Sequence, residues 1–275
     1  TRCASGATRR QSMLASLFRH RALVWQLTRR ELASRYRGAW LGALWALLTP
    51  LGLLVLYAFV FGVVMGVRWQ QPGAAQAQEF LAPMFAAMIV YLFVSECIAR
   101  APTVVVSQAA LIRKVVFPAE TLCAATVMAA FAQVVVCMGL LWVWLLLTGR
   151  PAGGWFLLAL LLWVPIALFA LGATFLLAAL GVFVRDISQL TGLINAGLLF
   201  LSPVMYPMSA VPESARILLF LNPLTHMVEA VRNPAVFGQA PGFGGVLVVF
   251  GLGLIVYSVG AYFFWRSRRA FVDVL

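Results

Sequence analysis

Charge is scarce in this sequence: Asp, Glu, Lys and Arg make up 10% of the 275 residues, while 63% fall in the hydrophobic set. A soluble domain carries about 25% charged residues, and a chain so depleted has too little polar surface to cover a water-soluble fold. Candidate metal and redox ligands are few as well. The only histidines are His20 and His226, far apart in the chain, and Cys3, Cys97, Cys123 and Cys137 show no CxxC spacing, so neither a zinc site nor a disulfide framework is expected. The one lysine, Lys114, follows Arg113 instead of glycine; the GxxxxGK[ST] phosphate loop is absent, as are HExxH and GxSxG. These absences point away from an enzyme, and no catalytic set, metal or cofactor is expected in the chain itself.

What is present is apolar length. The mean hydropathy is +0.98, and six apolar runs, approximately 41–67, 81–99, 121–148, 155–184, 187–205 and 243–265, are each close to or above the roughly 20 residues that span a bilayer core. The expected class is an all-α integral membrane protein with six transmembrane helices in one domain. Gly38/Gly42 and Gly62/Gly66 form GxxxG pairs that allow close helix approach, although such pairs are common in membrane helices. No internal repeat or soluble domain is evident. The basic segment before the first run is too long for a cleavable signal peptide, and because the chain opens on Thr1 its natural start is expected further upstream.

The formal net charge is +12, which in a soluble chain would suggest nucleic acid. Its placement argues instead for topology and contact with membrane lipids. Nine of the 20 cations precede Trp40, and with Arg100, Arg113, Lys114, Arg185, Arg266, Arg268 and Arg269 one side of a six-pass arrangement collects sixteen. The other side holds Arg68, Arg150, Arg216 and Arg232. By the positive-inside bias both termini are expected in the cytoplasm.

Three polar segments have patterns of their own. From Phe18 to Tyr36, Phe18, Ala22, Trp25, Leu32 and Tyr36 recur at helical spacing among arginines that include Arg35 and Arg37, which predicts an amphipathic helix over about 17–38 lying at the membrane surface. The connection over about 100–120 mixes Arg100, Pro102, Arg113, Lys114, Phe117, Pro118 and Glu120, which suits a short surface helix between proline boundaries. The segment 203–241 is rich in proline, with Pro203, Pro207, Pro212, Pro223, Pro234 and Pro241, yet stays apolar through 217–221. That combination predicts short broken or re-entrant helices, tolerable in a bilayer only where protein or water satisfies the freed backbone.

Ionisable residues are sparse. Glu96 and Arg100 stand four apart on the second run and should pair. Glu213, Arg216, His226, Glu229 and Arg232 fit no catalytic template, and a solvated loop face or gate is the favoured reading for them. Most of the 20 Phe, 9 Trp and 6 Tyr are expected to face lipid or form an interfacial belt, Trp40, Trp45, Trp69, Trp155 and Trp265 among them.

The run Arg35-Tyr36-Arg37-Gly38-Ala39-Trp40-Leu41-Gly42-Ala43-Leu44-Trp45, followed by Thr49-Pro50 and Tyr57-Ala58-Phe59-Val60-Phe61, resembles the opening of the type-2 ABC exporter permeases for polysaccharides and polyol phosphates. The likeness continues in order through Leu111-Ile112-Arg113-Lys114-Val115-Val116-Phe117-Pro118-Ala119-Glu120, Val184-Arg185-Asp186-Ile187, Ser202-Pro203-Val204-Met205-Tyr206-Pro207 and Leu221-Asn222-Pro223-Leu224-Thr225. The resemblance implies a permease subunit for a lipid-linked polymer of O-antigen, capsule or teichoic-acid type in a bacterial cytoplasmic membrane. It implies pairing with a second copy and with two copies of a separate ATPase that binds ATP and Mg.

By the same likeness, Arg113, Lys114, Phe117, Pro118 and Glu120 would form the coupling segment to the ATPase, and Trp25, Arg35, Tyr36 and Arg37 belong to the interface helix. Arg185 and Asp186 make the inner turn, and Pro203, Pro207, Asn222 and Pro223, with Tyr206 beside them, the outer gate. Tyr57, Phe61, Tyr91, Phe200 and Tyr206 are chosen by position as path-lining aromatics. Residues 41–265 would form the membrane region and 266–275 a cytoplasmic tail. Two alternatives stay open: a type-2 permease for a small drug or lipid, and an integral membrane enzyme acting on a lipid-linked sugar.

Overall fold

A computed structural model of the chain describes residues 13–38, 40–64, 81–114, 117–149 and 154–274, without the side chains of Tyr36, Ala43, Ala58, Phe61, Ile112, Arg113, Lys114, Arg269, Val272 and Asp273. All regular structure among them is helical: α1 (Met13–Arg19), α2 (Arg21–Tyr36), α3 (Trp45–Tyr57), α4 (Leu81–Val104), α5 (Ala109–Lys114), α6 (Glu120–Leu147), α7 (Gly154–Leu161), α8 (Trp163–Phe183), α9 (Ile187–Phe200), α10 (Glu213–Leu221), α11 (Pro223–Val236), α12 (Phe243–Ser267) and α13 (Phe271–Val274). This is the outcome expected when apolar sequence must satisfy its backbone donors and acceptors without water.

Four helical stretches are long and apolar enough to cross a membrane: α4, α6, the α7–α8 pair over Gly154–Phe183, and α12. The two remaining apolar runs form shorter α-helices. α3 carries Pro50 inside it and passes into a π-helical stretch, Ala58–Val64, and α9 stops at Phe200, short of the expected end at 205. The fourth run is interrupted at Leu162, between α7 and α8, just ahead of Pro165, where a ring nitrogen cannot donate to the preceding turn. The expected amphipathic helix is likewise two pieces, α1 and α2, broken at His20, whose Nδ1 lies 2.9 Å from the Ser16 carbonyl.

α4, α8 and α12 run in parallel. Phe93 meets Trp163 edge-on and Gly181 abuts Pro102, while Phe175 stacks against Phe264 and Phe183 against Phe271, so chain position rises together along all three helices. They end together at a pole that carries Arg100, Arg185 and Arg268, called here the arginine-rich pole. α6 and α9 run back the other way, and α4 is the most buried of the four long helices.

The close seam of the bundle is α8 against α12. A methyl placed on Gly172 would fall on the Tyr257 backbone, one on Gly253 on the Pro165 carbonyl, and one on Gly260 on Gly172 itself. Without a hydrophobic force between helices in lipid, such backbone approach is what van der Waals packing requires. The Gly38/Gly42 pair plays no such part. Both residues lie in the connection after α2 with φ of 84° and 49°, a left-handed conformation that glycine adopts without penalty. Gly66 lies outside the described residues.

The seam makes a specific prediction. Gly260→Val should lower stability by about 3 kcal/mol, the upper end for overpacking, because the atoms it meets are backbone. Gly251→Ala, which meets nothing on the same helix, should stay within about 1 kcal/mol of the parent. Thermal unfolding of the detergent-solubilised protein measures both, and equal effects would show that the seam is not the tight contact.

Candidate coupling site and gate

At the arginine-rich pole, α2 and α4 present two charged ladders to each other. Glu31 and Arg35 are four apart on one helix, Glu96 and Arg100 four apart on the other, spacings that put each pair on one helix face. Arg35 Nη1 donates to Glu96 Oε1 at 2.7 Å, Arg100 Nε to the same oxygen at 3.2 Å, and Arg100 Nη1 to Glu31 Oε1 at 2.6 Å. The Arg35 side chain is only 9% exposed. Four charges of zero sum compensate one another's loss of water, which neither helix could offset alone. Beside them a polar cavity of about 190 Å³ is lined by Arg30, Thr103, Ser107 and Gln108, among others. The Glu96–Arg100 pair expected from spacing is present; its extension to Arg35 and Glu31 spans two helices far apart in sequence.

The connection between α4 and α6 folds as a 3-10 turn followed by α5. Arg113 and Lys114 close α5, with side chains outside the described set; Phe117 and Pro118 follow, half-buried. The Pro118 carbonyl accepts from Thr121 Oγ1 at 2.7 Å, which starts α6. Glu120 faces inward. It is buried, accepts from Ser16 Oγ at 2.7 Å, and stands 4.0 Å from Arg268 Nη1. The end of the chain is also engaged: Phe271 is buried against Phe264 and Phe183, and α13 lies against α5. On α2, Trp25 is exposed and Arg37 occupies the exposed turn after Tyr36. Arg185 and Asp186 are exposed between α8 and α9, where the Asp186 carbonyl accepts from Leu190 N.

At the opposite pole, residues 201–212 turn back and lead into a helical hairpin, α10 and α11, with α11 packed on α4 and α7. Asn222 makes the hairpin corner. Its Oδ1 caps α11 by accepting Leu224 N–H at 3.0 Å, Pro223 fills the first helical position, and Nδ2 donates to the Leu201 carbonyl at 3.0 Å. Arg232 fastens the turn from the other side: 3% exposed, it donates from Nη1 to the Pro203 carbonyl at 2.8 Å with Glu229 at 3.7 Å. Pro207 precedes a 3-10 turn, and Tyr206 Oη donates to the Phe200 carbonyl at 2.8 Å, its phenol pushed up from the ordinary value by burial. The chosen aromatics divide. Tyr57 and Tyr91 are half-buried and within electrostatic reach of each other, Tyr91 also reaching the Asn195 carbonyl at 3.4 Å. Phe200 is mostly exposed, and the Phe61 side chain lies outside the described residues.

Of the two readings, solvated face or gate, the first suits Glu213 and Arg216, a loose pair at 3.8 Å with Glu213 exposed, and does not apply to Arg232, which is buried. Burial of an arginine in a proline-rich segment has no local signature; only the apolar residues around it hint at an enclosed position. Glu31 has no such local sign either, because its partner is set by the tertiary fold: α2 packs on α6, and only its long charged side chains reach across to α4. Among the described residues no three metal-binding side chains converge.

Residues 22–236 match the family of ABC-2 type transporter membrane proteins. The chain is 27% identical over 267 residues to the O-antigen export system permease protein RfbA of Myxococcus xanthus, covering 95% of this chain and 98% of that one. It is 22% identical over 250 residues to the protein of the same name from Klebsiella pneumoniae, covering 90% and 93%.

Three substitutions test these contacts. In a double-mutant cycle of Arg35→Gln and Glu96→Gln, a coupling of about 1–2 kcal/mol is expected, because the charges touch and share one network. Arg232→Met should cost about 2 kcal/mol by leaving the Pro203 carbonyl without its donor. Chemical or thermal unfolding in detergent reads both, and additivity within error would remove the ionic ladder from the account.

Proposed function

Because the chain belongs to the ABC-2 type transporter family, we propose that it is the permease subunit of an ATP-driven exporter that moves a lipid-linked polysaccharide of O-antigen type across the bacterial cytoplasmic membrane. Near full-length collinearity with permeases named for O-antigen export carries the reading. The motifs at Arg35 to Trp45, Leu111 to Glu120 and Ser202 to Pro207 support it in the same order along the chain.

In this reading the chain crosses six times, α3 with its continuation to Val64 and the short α9 completing the four long spans. The arginine-rich pole faces the cytoplasm with both termini. The α10–α11 hairpin re-enters the membrane from outside; its exposed apolar side chains Ile217, Leu218 and Phe220 suit lipid or a second copy, while its backbone is satisfied within the helices. ATP and Mg are held by a separate nucleotide-binding subunit, two copies of which pair with two permeases. α5 with Phe117 and Pro118 receives its motion, and the Arg35–Glu96 contact carries it into α4. Glu120, engaged with Ser16 and Arg268, ties that segment to α1 and to the chain end in place of docking directly. Pro203, Tyr206, Pro207, Asn222 and Pro223 form the outer gate, and Tyr57, Phe61, Tyr91 and Phe200 offer ring faces along which sugars slide. Any such transmission needs two discrete arrangements that the nucleotide subunit biases.

The test is genetic and biochemical together. Disruption of the gene should abolish surface polymer, and the tagged chain should recover a phosphate-loop ATPase whose hydrolysis depends on it. Phe117→Asp should weaken that association about tenfold, as loss of a buried aromatic anchor does. Tyr57→Ala and Tyr206→Ala should impair export while insertion and ATPase recovery stay normal. ATP turnover by the purified chain alone, or unchanged surface polymer after disruption, would overturn the reading.

A further inference from the structure

One cavity takes no part in the site described above. Between α1–α2 on one side and α6–α8 on the other lies a groove of about 560 Å³ with almost wholly apolar walls. Leu14, Leu17, Phe18, Val24 and Trp25 supply one wall at helical spacing. The α6 and α8 wall includes Met128, Phe131, Trp163 and Val164. Several of these are open to the surroundings, Phe18 at 74% and Val164 at 56% exposed, so among the described residues no side chain fills the groove.

Its two ends differ in chemistry. Arg21 stands in the lining, exposed, and no acidic side chain joins it there among the described residues. Arg21 opens α2 just after the break at His20, and Ser16 on the preceding α1 bonds Glu120 at the start of α6. From Glu120 the α6 wall climbs through Ala124 to Phe131, about 6 and 16 Å along the helix at 1.5 Å per residue. The groove therefore has a guanidinium on its rim near the arginine-rich pole and runs on between apolar walls.

We propose that this groove holds one acyl chain of an anionic membrane phospholipid whose phosphate sits on Arg21. Size and charge both select that occupant. A protein helix about 10–12 Å across would use up the cavity of about 560 Å³ in roughly one turn, so the space suits a single slender acyl chain and not an entering helix. Guanidinium donors match phosphate oxygens two at a time, and an unopposed arginine at the rim selects an anionic lipid. The bound lipid completes the wall between the surface helices and the bundle, a contact the chain leaves open. This inference depends on the membrane setting of the chain and not on what it exports.

The experiment uses the full chain in nanodiscs containing phosphatidylglycerol with a photoactivatable diazirine at mid-chain, followed by peptide mass spectrometry. Adducts are expected in residues 124–131 and 160–171 well above the level on the exposed α9 face around Leu193, which reports ordinary annular lipid. Arg21→Gln should lower groove labelling about five-fold, the value of one arginine against an anionic lipid, and the same probe with a phosphatidylcholine headgroup should label less by a similar factor. Ala167→Trp, which fills the groove, should bring its labelling down to the α9 level; if that variant fails to insert, Arg21→Gln, at an exposed position, still decides. Equal labelling by the two headgroups, indifference to Arg21→Gln, or displacement of the phospholipid by a polyprenyl phosphate at equal mole fraction would overturn the proposal. Loss of export with intact labelling, or the reverse, separates this site from the transport reading.

Discussion

The contact between Arg35 and Glu96 is the constraint around which this chain is arranged. Two opposite charges 2.7 Å apart, the arginine nearly excluded from solvent, link α2, a helix of polar character that packs on α6, to α4, the most buried long helix of an apolar bundle. The buried Arg35 depends on Glu96, since an uncompensated ion at such a position would lose several kcal/mol of hydration, while Glu96 also has Arg100 as a partner. Arg100 and Glu31 extend the pair into a neutral set of four, so the orientation of α2 on α4 is fixed by direction as well as by contact. An apolar interface at this position would hold the helices together and leave them free to slide.

From that clasp a continuous set of packed elements leads to the opposite pole. α4 packs on α6, α8 and α9 and, near its other end, on α11. α11 in turn holds the 201–212 turn through Arg232 and the Asn222 cap. Both attachments use the same device, a side-chain donor directed at a backbone carbonyl or carboxylate where water is scarce. Spatial continuity of this kind is necessary for coupling and is distinct from it; coupling belongs to an equilibrium between two arrangements that both ends bias. The geometry supplies rigid contacts at both ends of one helix, which is the mechanical condition for α4 to act as a lever and not as a passive wall.

Apolar run length and helical periodicity carried most of the architecture into the sequence. Every apolar run became a helix, and the proline-rich segment after α9 became the short helices its composition implied, because in lipid the backbone has few other ways to be satisfied. Interruptions were less legible. The break at His20 and the π-helical stretch after Tyr57 depend on how neighbouring turns pack, which no local residue type announces. Glycine illustrates the same limit: the GxxxG spacing drew attention to Gly38 and Gly42, which serve a turn, while the working seam uses Gly172, Gly253 and Gly260 on two helices. The Glu96–Arg100 pair was readable from its spacing of four; Glu31, Ser16 and Arg268 found their partners only through the tertiary fold.

Packing tightness divides the chain into two mechanical classes. α8 and α12 approach backbone to backbone along three glycines and an aromatic stack of Phe175, Phe264, Phe271 and Phe183, a union that admits little relative movement because the atoms in contact are main chain. α3 has the opposite character. It is held by sparse contacts that include Gln133 Nε2 donating to the Ala46 carbonyl, and much of its surface is exposed, Val55 and Val63 among it. α9 is similar, joined to α4 through Asn195 and Tyr91 while Leu193 and Phe200 remain open. A conduit that must widen and close needs a fixed frame and movable staves. Main-chain contact makes the α8–α12 pair the frame. The two short apolar helices are joined to the bundle through side-chain hydrogen bonds and not main-chain contact, and with the π-helical continuation of α3 they carry Tyr57, Phe61 and Phe200, so in the proposed exporter they are the elements suited to move.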